Sequence, residues 1–166
     1  MVGYLLRVSS AELAEYLEDS SKLEARTLAE DSTEDSNCIE VDKSWDGISF
    51  LLSGPELPES EKEKNPLSWT LFGNKTLDEN QDLGYGPAGY ASIEDVKRIQ
   101  AALQNMTTDR IRKNFDPAKM MALGVYPEIW SDEEESLEYL MEYYDLVADF
   151  YQKAAGENQA VIAFIH

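Results

Sequence analysis

Asp42-Lys43-Ser44-Trp45-Asp46 gathers two carboxylates, an ammonium and an indole within five residues. Side chains four apart share a helix face, so on a helix Asp42 and Asp46 would stand together beside Trp45. Two carboxylates perform acid–base chemistry when burial drives their pKa values apart, and Lys43 is the nearest cation to them. A second aromatic group follows in Gly84-Tyr85-Gly86-Pro87-Ala88-Gly89-Tyr90. Asp42, Lys43, Trp45, Asp46, Tyr85 and Tyr90 therefore form a candidate pocket for a small ligand or a carboxylate-based enzyme. The same segment also reads as structure alone. Asp42 can cap a helix that carries Trp45, Ile48 and Leu52 on one face, with Gly54-Pro55 as its stop.

The remaining chemistry is narrower. The only histidine, His166, is the last residue of the sequence. A terminal side chain is expected to fray into solvent, which leaves the interior without imidazole as a general base or zinc ligand. One cysteine, Cys38, excludes an intrachain disulfide and fits a reducing compartment. Its acidic neighbours raise its pKa and argue against a reactive thiol. Gly84 to Gly89 spells the dinucleotide-binding letters G-x-G-x-x-G. That motif needs a strand before it and a helix directly after it, and here polar residues precede it and the helix starts only at Ser92. It reads as a glycine-rich turn or a kinked strand. Asp78-Glu79-Asn80-Gln81-Asp82-Leu83-Gly84 begins like a calcium loop, yet Leu83 and Gly89 occupy the places where such a loop needs glycine and a bidentate glutamate. No metal site and no cofactor is expected.

Thirty-three acidic residues against fourteen basic ones give a formal charge of −19. Affinity for phosphates comes largely from Lys and Arg, so a nucleic-acid partner is excluded and a basic protein partner is favoured. Solubility explains the same composition. The distribution is polarised. Glu128 to Asp149 contains nine acidic residues and no basic one, while six of the fourteen basic residues lie between Lys97 and Lys119. Glu135, Glu138, Glu142, Asp145 and Asp149 are expected on the outer face of one helix, a candidate surface for that partner. No apolar run approaches the ~20 residues that cross a bilayer. The opening residues lack a secretory signal, so a soluble, cytoplasmic protein is expected.

These residues need elements to position them. Gly3 to Val8 and Ala160 to Ile165 read as strands, and their pairing would tie both chain ends into the core. Ser9 and Glu12 form a capping box for a helix with Leu13 and Leu17 inward. A short helix is expected over Leu23–Leu28, and polar loops over Glu30–Asn37 and Glu56–Asn65. Asn65-Pro66 opens a short helix closed by Gly73. Further helices start at Ser92 with Asp95, at Thr108, and at Asp116-Pro117 before Gly124. Ser131 with Glu134 starts the longest helix, to about Gly156, with Leu137, Leu140, Met141, Tyr144, Val147, Ala148 and Tyr151 inward. The expectation is an α+β fold: a helix-dominated single domain of residues 1–166 around a small sheet that includes the N- and C-terminal strands.

The segment from Asp42 to Gly54 resembles the hallmark of the YfbM-like family, domain of unknown function 1877. Gly3-Tyr4, Asn65-Pro66-Leu67 with Leu71 and Gly73, Gly86-Pro87-Ala88, Val125-Tyr126-Pro127 and the terminal helix and strand match in the same order. The resemblance implies a bacterial α+β protein and brings no catalytic residues with it. Two function classes stay open: an acidic interaction module that binds or neutralises a basic protein, and a ligand binder or enzyme near Trp45 and Gly84–Tyr90.

Overall fold

Strands β1 (Gly3–Val8) and β5 (Ala160–Ile165) pair antiparallel over their whole length, from Gly3 opposite Ile165 to Val8 opposite Ala160. They lie inside the five-stranded sheet and their two faces each pack on a core, which explains their nearly unbroken apolar sequence. The computed structural model describes residues 1–27, 35–54 and 57–166, except the side chain of Glu59. Sheet order is β2-β1-β5-β4-β3, with β2 (Cys38–Glu40), β3 (Lys75–Thr76) and β4 (Gly89–Ala91) pairing antiparallel to their neighbours. The pairing continues past β1 and β5: Val2 N donates to His166 O at 2.8 Å and His166 N to Val2 O at 2.9 Å. His166 Nδ1 also lies 2.8 Å from the carbonyl of Leu83, which makes Nδ1 the protonated nitrogen. The expected fraying of His166 is therefore corrected: strand pairing and a loop carbonyl hold it.

Alternation along the strands builds two layers. Leu5, Ala91, Val161 and Ala163 face the larger core with α3 (Trp45–Ser53), α5 (Ile93–Gln104) and α8 (Glu133–Gly156). Leu6, Val8 and Ile162 face a smaller core closed by Leu13 and Tyr16 of α1 (Ser10–Glu18), Leu23 of α2 (Ser21–Thr27), Leu77 and Leu83. Arg7 points into the helix-covered side and is only 3% exposed. Its guanidinium donates to Glu157, Gln159, the Ser36 carbonyl and Asn37 at 3.0–3.2 Å, and sits 5.6 Å over the Phe150 ring. A buried charge so fully bonded fastens β1, the chain before β2 and the end of α8 to one another.

Most helix starts follow the expected caps. Ser9 and Glu12 close the capping box of α1, Ser92 accepts from Asp95 N, and Asp116 accepts from Lys119 N. Four expectations need correction. Tyr16 rather than Leu17 is buried in α1, because its hydroxyl takes a bond from Arg26 while Leu17 stays 45% exposed. The long helix is capped by Asp132, one residue after Ser131, and buries Phe150 while Leu137, Met141 and Ala148 are only half-buried. Within the polar stretch 56–65, residues Glu59–Lys62 form a short helix, α4. Asp42 does not cap α3: it has φ 45°, precedes the helix, and Ser44 stands at the cap position. Of the expected loop Glu30–Asn37, residues 30–34 lie outside the described residues, as does Pro55. The two remaining helices, α6 (Thr108–Asn114) and α7 (Pro117–Ala122), complete the helical layer. Among the described residues no helix is long and apolar enough to cross a membrane.

At Gly89 the fold requires space rather than an unusual dihedral. A Cβ there would sit 1.8 Å from the carbonyl oxygen of Phe72. Gly89 is held in the ladder opposite Thr76 and cannot move away without disturbing the β3–β4 pairing. Gly89→Ala is expected to lower stability by at least about 2 kcal/mol in urea denaturation.

Candidate functional site

The structure separates the six candidate pocket residues. Asp42 sits in the turn between β2 and α3, where its carbonyl accepts from Gly3 N at 2.9 Å and its carboxylate from the Tyr139 hydroxyl at 2.8 Å. Burial first, and then the bond to Asp42, push the Tyr139 phenol well above its usual range. Asp42 is thus committed to α8. Asp46 lies in the first turn of α3, and its Oδ2 accepts from Tyr126 N at 2.9 Å. Burial raises the Asp46 carboxyl and outweighs that bond. The expected shared face of Asp42 and Asp46 is corrected, since only Asp46 is on the helix. Lys43 is exposed and forms no ion pair among the described residues.

Trp45 is half-buried. Its ring stacks on Tyr126 with centroids 5.2 Å apart and meets Phe72 edge-on at 5.8 Å. Among the described residues its buried Nε1 has no hydrogen-bond partner. Tyr90 belongs to the other side of the sheet. Ala91 joins the helix-covered core, so Tyr90 between it and Gly89 points to the smaller core, with Lys75 Nζ 5.7 Å over its ring. The joint pocket of Trp45 and Tyr90 is thereby corrected: strand alternation puts them on opposite faces.

Tyr85 goes elsewhere. It is 59% exposed and lines a cleft of about 940 Å³ at the ends of β4 and β5. The far walls are α3, with Ser49 and Ser53, and the turn of 3-10 helix Pro66–Trp69 with the following Phe72. Ser53 and Ser68 bridge the two walls at 3.3 Å. Lys75 lines the β3 edge and is held by Asp95 at 2.6 Å, whose carboxylate also takes the Ser92 hydroxyl at 2.7 Å. Burial raises the Asp95 carboxyl, but bonds from Lys75, Ser92 and Asn74 outweigh it and bring it down to about 2.

The two motif-like loops have local explanations. Asp82 Oδ1 accepts from the backbone N–H groups of Gly84 and Gly86, and Asp78 accepts from the Ser20 hydroxyl and Asn80 N. Asp82 caps its own loop and Asp78 also ties that loop to Ser20, and the glycine-rich segment runs into strand β4 rather than a helix. Cys38 is mostly buried; burial, then Asp35, push its thiol up to about 11, so it stays protonated at neutral pH.

The acidic face is intact. Glu135, Glu138, Glu142, Asp145 and Asp149 are all exposed along α8. Among the described residues none of them forms an ion pair. The negative field reaches the sheet edge, where Tyr143 is raised by burial and then by Asp42, Glu142 and Glu40. Arg110, Arg112 and Lys113 stand exposed on α6. Sequence reasoning did not find Tyr126, Phe72 or Tyr139 as neighbours of the Trp segment. The available signal was the Val125-Tyr126-Pro127 match, which carries no distance information.

The topology has both chain termini paired at the sheet centre and the Trp segment packed between sheet and long helix. A family model, domain of unknown function DUF1877, matches residues 1–164. The chain belongs to this family. Its structure is similar to the crystal structure of YfbM from Escherichia coli, a protein of unknown function, with TM-score 0.75 and 18% identity over 98% of each chain. At that identity the structural likeness shows a shared fold and nothing more. No curated protein matches the sequence. In this DUF1877 chain the segment Asp42–Gly54 thus carries α3 wedged between β1 and α8, with Asp42 tied to Tyr139 of α8 and Trp45 packed beside Gly3 of β1.

Two titrations follow. An acid whose folded pKa is raised opposes folding once it is ionised, and that opposition fades as pH falls through the folded pKa. Asp46→Asn keeps an acceptor for Tyr126 N and is expected to stabilise the protein at pH 7, with the gain shrinking in more acidic buffers. Asp95 is the reverse case: its folded pKa is lowered, so its contribution is full above the unfolded value and lost as pH falls from about 4 towards 2. Asp95→Asn is expected to cost about 2 kcal/mol at pH 7, with the difference closing below pH 3. Urea denaturation across pH checks both.

Proposed function

We propose that this protein is a binding module that receives a basic protein surface on α8. The observation that carries the reading is the stripe of five carboxylates at spacings of 3, 4, 3 and 4, with no cation supplied by the described part of its own chain. Like charges at such spacings destabilise a helix by roughly 0.2–0.5 kcal/mol per neighbouring pair. Solubility alone is served equally well by scattered charges, so a stripe that works against its own helix fits a surface that is neutralised on binding. The stripe spans about 21 Å at 1.5 Å per residue. Its backbone is firmly held, because Leu140, Val147, Tyr151 and Ala154 on the opposite face are fully buried.

Such a surface supports fast, salt-sensitive encounter with a positive partner. A carboxylate-pair enzyme draws less support, because Asp42 and Asp46 answer to different elements. The test replaces all five carboxylates by their amides. The variant is expected to be more stable by about 1–2 kcal/mol, four repulsive pairs being removed. In parallel pull-downs from the source cell extract, basic proteins retained by the wild type should be lost by the variant and released by raised salt. Retention of the same proteins by both forms would overturn the reading.

A further inference from the structure

We propose that the row of Tyr139, Tyr143 and Leu146 on α8 is a docking site for arginine side chains of a basic protein, an inference that rests on α8 being the face that receives such a partner. The three residues are spaced i, i+4 and i+7, so they stand in one row about 10 Å long. Tyr139 and Tyr143 are half-buried against the larger core, and their rings meet edge-on with centroids 5.1 Å apart. Leu146 is 39% exposed, although Glu142 stands four residues before it and Asp149 three after. A face built for solubility has no use for a leucine and two tyrosines among its carboxylates.

Carboxylates flank the row on both sides. Glu135, Glu142 and Asp149 follow one another at intervals of seven along its outer side. Towards the sheet edge lie Asp42, bonded to the Tyr139 hydroxyl at 2.8 Å, and the exposed Glu40 of β2. Asp42, Glu142 and Glu40 all act on the Tyr143 phenol, which places that ring between the two acidic flanks. Carboxylates alone attract lysine and arginine alike; aromatic surface between them discriminates. A guanidinium is planar and weakly hydrated, so it can lie on a tyrosine face while its N–H fork pairs with a flanking carboxylate. Its aliphatic stem can cover Leu146. An ammonium holds its water more tightly and gains less from the ring. A purely apolar segment would bury the flanking charges without partners, at a cost that works against binding.

The experiment is a backbone amide NMR titration of the full chain, in one low-salt buffer, with hexa-arginine, with hexa-lysine and with a neutral Gln-Leu repeat peptide. Hexa-arginine is expected to shift the amides of Glu40, Tyr139, Tyr143 and Leu146 and to bind about five-fold more tightly than hexa-lysine. Tyr143→Leu keeps an apolar side chain against the core, so the fold should persist while the arginine preference falls to about parity and lysine affinity is unchanged. Leu146→Ala, at an exposed position, should weaken hexa-arginine about three-fold. Four outcomes overturn the proposal: equal affinity for the two cationic peptides, an arginine preference that survives Tyr143→Leu, the same shifts with the neutral peptide, or shifts of these amides with the chain's own concentration as it dimerises. Equal binding of both cationic peptides along α8 would leave the acidic face standing as a site for basic partners. An arginine preference in a chain whose pull-down partners survive the five-amide change would separate the two readings the other way.

Discussion

The antiparallel pairing of β1 with β5 is the contact on which the rest of the molecule is hung. It joins residues about 160 positions apart, so its closure entropy must be met by burial on both faces of the pair. The sequence supplies that burial: Leu5, Leu6 and Val8 on one strand and Ala160 to Ile162 on the other are all at most 1% exposed. Arg7 adds specificity in the middle of this apolar pair. A one-residue slip would turn its guanidinium away from Glu157 and Gln159 and towards the smaller core, so the bonded charge helps fix the register.

The candidate regions inherit their positions from that pair. Gly3 opens β1 and lies so close to Trp45 that an added Cβ would come within 3.1 Å of it. Trp45 therefore marks where α3 rests on the sheet, and its stacking on Tyr126 and edge contact with Phe72 join three distant segments. The residues from Asp42 to Gly54 are explained first as this joint. Chemistry is left to the surfaces the joint holds in place: the outer stripe of α8 on one side and the cleft between α3 and the strand ends on the other. The two differ in kind. One is a convex, acidic helix face, and the other is a concave cleft.

Local sequence signals were reliable wherever the interaction that decides an element is itself local. Caps at Ser9, Ser92 and Asp116 are read correctly because a side chain and an amide three residues away settle them. The acidic stripe is legible for the same reason, since helical periodicity alone determines which residues point outward. Legibility fails at Asp42. Its letters suit a helix cap, but its carboxylate is claimed by Tyr139, 97 residues away, and its backbone by Gly3. It fails again at Tyr90, whose side of the sheet depends on a register set by β5.

By itself the sequence determined most of the longer helices, the two terminal strands and the polarity of α8, because each follows from short-range periodicity, capping or charge, and its ordered motifs pointed to the family; the short helix α4 and the strands β2, β3 and β4 were not legible in it. Only the tertiary structure decided that the six pocket candidates do not share a pocket. It also decided that His166 is held rather than frayed, and that Tyr85 borders a cleft with Phe72 and Ser49. Those outcomes turn on which strand face a side chain takes and which distant segment claims its polar atoms. Neither quantity is encoded within any one stretch of chain; packing settles both at once.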